Sequence, residues 1–304
     1  KRIPALITNN GANAKIVNEI GFGLLAILVN VDNKKIASVH TYTGEIQQNL
    51  SHMLLRIDEL SKKLNDVFSK ILKQNISFNT KQNAKKALYS TGLSTTFKVL
   101  SYFASLLEAP SEKLNIILAN LPSYYVFDYL NGTWTAHGDQ RLQDYYPKIN
   151  NKSYLEPLSK EKLQTAFKRW IEDNPGTRQS FTKETKALIT IHSNLTYLSA
   201  KIPTGEDFEF EHIIPKARIL KFDPKITSVH TSSLGNGMLL PKSDNNKKKD
   251  KTLYEIDNSS QYSELINESL YPYEKNLSHV LNNLENNQFS EVNAFISNRA
   301  QQVS

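Results

Sequence analysis

From Ile46 to Leu72 the apolar residues Leu50, Met53, Leu54, Ile57, Leu60, Leu64, Val67, Phe68, Ile71 and Leu72 recur at intervals of three and four, with Lys, Asp, Glu and Gln opposite. That period predicts one amphipathic helix of about seven turns. A stripe of this length has to be covered by neighbouring helices or by a second copy of the chain. The repeat is nearly heptad, but it lacks the e/g charge code of a dimerising coiled coil. Around it the rest of the first two-thirds also reads as helix. Ile20 to Val29 is apolar, broken by two glycines, and too short for the ~20 residues of a membrane span, so a buried helix is expected there. Further helices are expected over residues 81–107, stopped by Pro110, and over 159–171 and 183–198, with a short apolar segment at 115–129.

Between Asn131 and Tyr154 the pattern breaks into Gly, Pro and Asn, which is loop chemistry. His137-Gly-Asp-Gln-Arg141 gathers imidazole, carboxylate and guanidinium, and reads as a polar surface turn with Trp134 and the Tyr145, Tyr146 pair packed beneath it. The tail from Tyr262 to Val303 is again helical, its buried positions being Leu265, Leu270, Leu277, Val280, Leu281, Leu284, Val292, Phe295 and Ile296. Across 304 residues, hydrophobic side chains make up 39% and charged ones 22%, an ordinary globular balance that excludes a disordered tail. The chain has no cysteine, so a disulfide framework, a thiolate zinc site, an iron–sulfur cluster and a cysteine nucleophile are all excluded. Any metal must sit on oxygen or imidazole. A net charge of +7 leans mildly toward a polyanionic partner. The chain starts at Lys1 without the charged and apolar regions of a secretory signal, so cytoplasmic residence is the expectation, and a further domain before Lys1 stays open.

Chemistry concentrates in residues 207–251. Asp207-Phe-Glu-Phe-Glu-His-Ile-Ile-Pro215 alternates apolar and polar residues and ends at a proline, which places Glu211 and His212 at the end of a short strand. Ser233-Leu-Gly-Asn-Gly-Met-Leu-Leu-Pro241 is a second apolar strand, entered through Gly235-Asn236-Gly237 and again closed by proline. Lys242-Ser-Asp-Asn-Asn-Lys-Lys-Lys-Asp-Lys251 then reads as a helix start with Asn245 and Lys248 on one face. The predicted order is strand, strand, helix, a hairpin in outline.

With Glu-His on the first strand, Asn before the second and Asn-x-x-Lys on the helix, this segment resembles the HNH endonuclease family, whose nuclease unit is a ββα-metal finger. It looks most like the C-terminal nuclease domain of GmrSD-type, modification-dependent restriction proteins. The resemblance covers about 60 residues and implies the following roles. His212 is the general base. Glu211 and Asn245 are ligands of one divalent cation, Mg²⁺ or Mn²⁺. Asn236 ties the loop through side-chain hydrogen bonds, and Lys248 faces the phosphate as a second catalytic group. Gly237 stands where related sequences often carry a bulky apolar residue, so a more open hairpin and a looser loop are expected. His230 is an additional candidate ligand or base, set against a structural loop role.

The same roles make chemical sense without the family. Phosphodiester hydrolysis needs a proton acceptor for the attacking water, which a neutral imidazole supplies, and charge relief at the phosphate, which hard oxygens can help provide by holding Mg²⁺. Lys242, Lys247, Lys249 and Lys251 stand beside the predicted site and would meet the nucleic-acid backbone without reading sequence. Nothing reads a 2′-hydroxyl, so DNA is the working substrate and RNA stays open.

The expected fold is therefore mainly α with a small ββα-metal unit near the C-terminus, α+β overall. Its parts would be a helical domain over 1–199, the nuclease unit over 200–258, and C-terminal helices over 259–304 packing on it. The expected function is metal-dependent DNA cleavage in restriction or anti-phage defence, with no membrane association. Specificity would come from an N-terminal domain or partner subunit, and double-strand cleavage from a homodimer through the helical region. The alternatives are a non-cleaving nucleic-acid-binding module and an RNA-cutting effector nuclease.

Overall fold

The computed structural model describes residues 14–73, 89–149, 151–198, 208–257 and 260–304. The described residues are mainly helical, with one two-stranded antiparallel sheet. No helix among them is long and apolar enough to cross a membrane. The chain divides into two compact units, residues 1–69 with 93–163 and residues 70–92 with 164–304. The boundary expected near residue 200 does not coincide with this division. The reason is that the helix before it packs on the second strand, so it belongs to the C-terminal unit.

The first unit holds α1 (Ala14–Leu28), a 3₁₀ segment (Asn33–Tyr42), most of α2 (Thr43–Leu72), α3 (Thr96–Leu107), α4 (Ser111–Leu130) and α5 (Gly138–Gln143). The stripe on α2 is buried at Met53, Ile57, Leu60, Leu64 and Phe68, while Leu50 and Leu54 remain exposed. Each fully buried Leu or Phe of this kind contributes about 1.5–3 kcal/mol. The helix expected from residue 81 starts among the described residues only at Thr96, because Thr95 caps it by accepting from the Lys98 amide at 3.2 Å; residues 81–88 lie outside the described set. The short segment expected at 115–129 is a 20-residue helix that starts after Pro110 and continues through Pro122. Trp134, Tyr145 and Tyr146 are buried beneath the turn around His137, whose φ of 54° is left-handed. Trp134 and Tyr145 join a cluster of rings in which Phe68 stacks on Tyr102 at 5.6 Å between centroids and Tyr145 on Tyr154 at 5.0 Å.

The second unit holds the rest of α6 (Lys160–Asp173), then α7 (Lys183–Leu195), β1 (Phe208–His212), α8 (Lys216–Phe222), β2 (Gly237–Pro241), α9 (Lys242–Lys248), α10 (Ser263–Glu268), α11 (Glu274–Glu285) and α12 (Phe289–Gln302). The strands pair with Phe208 opposite Pro241 and His212 opposite Gly237. The connection between them is longer than a hairpin turn and contains α8, which the sequence pattern did not predict. Its second half is fixed by Asp223, whose carboxylate accepts from the amides of Thr227 (3.1 Å), Ser228 and Val229 (both 2.9 Å). Those bonds hold the Asp223 carboxyl below its ordinary range against the opposing effect of its partial burial. In the tail, Leu265, Leu277, Val280, Leu284, Val292 and Ile296 are buried, but Leu270, expected among them, is 42% exposed and sits at φ 52°.

Candidate active site

Alternation along β1 sends Glu209 and Glu211 to one face of the sheet and Phe208, Phe210 and His212 to the other. The carboxylate face is covered by α9. Asn245 and Lys248, three apart on that helix, each meet one of the two carboxylates: Asn245 Nδ2 donates to Glu209 Oε2 at 2.9 Å, and Lys248 Nζ donates to Glu211 Oε1 at 2.7 Å. Lys248 donates a second bond, at 2.9 Å, to the carbonyl of His212. Its side chain is 0% exposed, and burial pulls its ammonium below the usual lysine range, with Glu211 acting in the opposite direction. The expectation that Lys248 faces the phosphate is thus corrected. The four-carbon stem runs inward, and the charge is used to hold Glu211 and the end of β1.

The opposite face holds His212. Its ring stacks on Phe181 with centroids 4.3 Å apart and planes 19° from parallel. Phe181 stands just before α7 and is itself buried, and the N-cap Thr182 accepts from the Thr185 amide at 3.1 Å. Burial first, then the nearby Lys216 and Lys248 charges, push His212 down to about 3, so its imidazole is neutral at pH 7. Its Nε2 is buried and has no hydrogen-bond partner. His230 also has an unpartnered buried ring nitrogen, Nδ1, and its backbone amide donates to Asn293 Oδ1 at 2.9 Å.

Opposite His212, Gly237 is pressed against α7. A β-carbon there would collide with Ile189 Cδ1 and would meet Phe181 Cε1 at 3.1 Å. The expected opening of the sheet at this glycine is therefore corrected: Gly237 lets the helix and the Phe181 ring approach closely. The neighbouring Asn236 is 1% exposed and spans the connection. Its Oδ1 accepts from the Ile214 amide at 2.8 Å, its Nδ2 donates to the Thr231 carbonyl at 2.8 Å, and its own carbonyl accepts from the Ile213 amide at 2.9 Å. The turn after His212 is thereby locked to the turn before β2.

Three residues that the sequence pattern did not single out complete the frame. Arg299, on α12, is buried and reaches four backbone carbonyls: Leu270 through Nε at 2.9 Å, Gly235 and Gly237 through Nη1 at 3.0 and 3.1 Å, and Ser269 through Nη2 at 3.0 Å. Two of those carbonyls flank Asn236. Burial brings Arg299 down to about 10, which leaves it charged at neutral pH. Tyr197 donates its hydroxyl hydrogen to the Leu239 carbonyl at 2.9 Å and accepts from the Leu239 amide at 2.8 Å, pinning the middle of β2. Glu209 is the third. An arginine in register with Val292 and Ile296 on an apolar helix face, and a second glutamate two residues before Glu211, were the available signals.

Lys242, Lys247, Lys249 and Lys251 are exposed. Two of them have loose partners, Lys242 with Glu209 and Lys247 with Asp244, both at 3.5 Å.

For a divalent cation, Glu211 Oε2 and Asn245 Oδ1 are the oxygens with no hydrogen bond among the described residues on the two expected ligands. No hydrogen bond joins Glu211 to Asn245, and no group of three or more His, Asp or Glu side chains gathers in metal-holding geometry among the described residues. Two hard oxygens, the rest being left to water and phosphate, fit the manner in which Mg²⁺ binds at phosphate sites. No protein-family model, curated protein or solved structure matches the chain.

Proposed function

We propose that the chain hydrolyses phosphodiester bonds of nucleic acid, with DNA as the working substrate, at an HNH-like centre formed by β1, β2 and α9. The observation that carries this reading is His212, a neutral imidazole held by Phe181 at the end of a strand, with an unpartnered Nε2 and a carboxylate as its chain neighbour. An imidazole there accepts a proton from an attacking water once substrate phosphate, a nearby negative charge, raises its basicity from the low value that burial imposes. Lys248 acts through Glu211 as a positioning residue, fixing the carboxylate and the strand end. Asn236 and Arg299 hold the loop that carries the turn after His212. Mg²⁺ or Mn²⁺, held by Glu211 and Asn245, would supply charge against the phosphate oxygens. The four exposed lysines of residues 242–251 would meet the backbone on either side of the scissile bond.

A second reading, a nucleic-acid-binding module that does not cut, is favoured by one observation: one Glu211 oxygen is already taken by the Lys248 ammonium. Conversion of supercoiled plasmid to nicked and linear forms, followed with Mg²⁺, Mn²⁺ or EDTA for wild type and His212→Ala, separates the two. Metal-dependent nicking that drops about 10²-fold or more in the variant, at unchanged folding, is expected. Equal rates in both proteins, or no cleavage of plain or modified DNA or of RNA, would overturn the nuclease reading.

A further inference from the structure

Away from the sheet, the C-terminal unit contains a cavity of about 660 Å³ bounded by the end of α10, the start of α11 and the last turns of α12. Its size is ordinary for a site that encloses one small ligand. Four carboxamides line it, those of Asn267, Asn276, Asn298 and Gln302, and none of them makes a side-chain hydrogen bond among the described residues. Each offers a donor and an acceptor side by side. All four are exposed, so a ligand carrying donors and acceptors along one edge can pair with them where an aliphatic ligand would leave them to water. Tyr273 also lines the cavity and is 76% exposed, an aromatic face left in water. Among the described residues no carboxylate lines the cavity, and Arg299, 3% exposed, is its one charged lining residue.

Paired donors and acceptors match the edges of nucleobases, and an exposed ring matches their faces. We propose that this cavity takes one unstacked nucleobase of a nucleic-acid strand, stacked on Tyr273 and held at its edge by the carboxamides. The proposal rests on the nucleic-acid reading above and adds a substrate state to it, a base that has left the helix, since a base whose face lies on the Tyr273 ring has given up its neighbour in the stack. Its connection to the candidate active site runs through Arg299. The residue that lines the cavity donates through its guanidinium to Leu270 beside it and to Gly235 and Gly237 around Asn236. Leu270 also lines the cavity and is held in a left-handed conformation that a non-glycine residue adopts only when its surroundings impose it.

The test is fluorescence anisotropy with a fluorescein-labelled 20-nucleotide DNA strand and the blunt duplex of the same sequence, in EDTA, using the full chain. The proteins are wild type, Tyr273→Ala, Tyr273→Trp and the double variant Asn276→Ala with Asn298→Ala, each checked by thermal melting. Tyr273→Ala and the double variant should weaken single-strand binding about tenfold with little effect on the duplex. Tyr273→Trp should restore it, and the salt dependence should keep its slope because no phosphate contact is removed. Should Tyr273→Ala melt early, the exposed carboxamide pair carries the test. Single-strand binding within twofold of wild type in the folded variants overturns the proposal, even if the plasmid assay shows His212-dependent cleavage. Cavity-dependent binding by a protein that cuts nothing supports the proposal while the nuclease reading falls. A wild-type chain that binds neither probe overturns both.

Discussion

Replacing Arg299 by methionine removes a buried cation and nothing else of comparable size. The guanidinium donates to the carbonyls of Leu270, Ser269, Gly235 and Gly237 at 2.9 to 3.1 Å, and among the described residues it has no carboxylate partner. Hydrogen bonds to a charged donor contribute about 1.5–3 kcal/mol each, while burying the guanidinium costs several kcal/mol, so the favourable terms are partly offset. In the variant the desolvation cost disappears, but four carbonyls lose their donor, at about 1–3 kcal/mol for each that water does not reach. With water reaching about half of them, the net loss is about 3–5 kcal/mol, a large share of an ordinary domain's stability. For a unit of this size that corresponds to a melting midpoint lower by on the order of 10 °C. Differential scanning calorimetry of wild type, Arg299→Met and Arg299→Lys reads it directly. Lysine reaches fewer carbonyls and should recover only part of the loss. A methionine variant within about 1 kcal/mol of wild type would refute the claim that this side chain holds the Asn236 loop.

Other consequences follow from the same frame. Lys248→Met should destabilise the chain by about 3–5 kcal/mol in urea unfolding, because Glu211 is left without its cation; unchanged stability with reduced phosphate affinity would instead return Lys248 to the backbone-facing role. Gly237→Ala should cost about 1–3 kcal/mol by overpacking against Ile189 and Phe181, and Ile189→Val in the same chain should recover part of it; additive losses would count against that contact. His192, lowered to about 4 chiefly by burial and then by Arg299, is neutral in the folded chain where an unfolded histidine is protonated. Its contribution is complete above pH 6.5 and is lost as the pH falls toward 4, about 2 kcal/mol by pH 5, so His192→Phe should flatten the fall in melting temperature between pH 7 and 5.

What could be read in the sequence was what depends on local period. The stripe from Met53 to Phe68 gave its helix because every third or fourth residue had to be apolar, and the alternation at Phe208–His212 gave its strand. Contacts between distant segments left no such mark. Gly237 looked like a loosened turn, since nothing near it in the chain shows that Ile189 and Phe181 press on it. Leu270 looked buried by spacing, but the backbone reverses there between α10 and α11, with Arg299 binding its carbonyl, and the side chain faces out. The boundary near residue 200 followed a change in composition, whereas Tyr197, before it, is bonded to Leu239, beyond it.

The lysine run shows why a charge count could not resolve the site. Helical geometry turns each residue about 100° from the last, so of Lys247 and Lys248 only one can lie in line with Asn245, and that one faces the sheet; Lys249 stands beyond the helix end at φ 50°. Lys248 therefore spends its charge on Glu211 and on the carbonyl of His212, inside the fold. Lys242 and Lys247 are shared with Glu209 and Asp244. The stretch that reads as five free cations thus presents four to a polyanion, two of them already partly neutralised. Under the proposed function, the affinity it can supply to a nucleic acid is correspondingly modest.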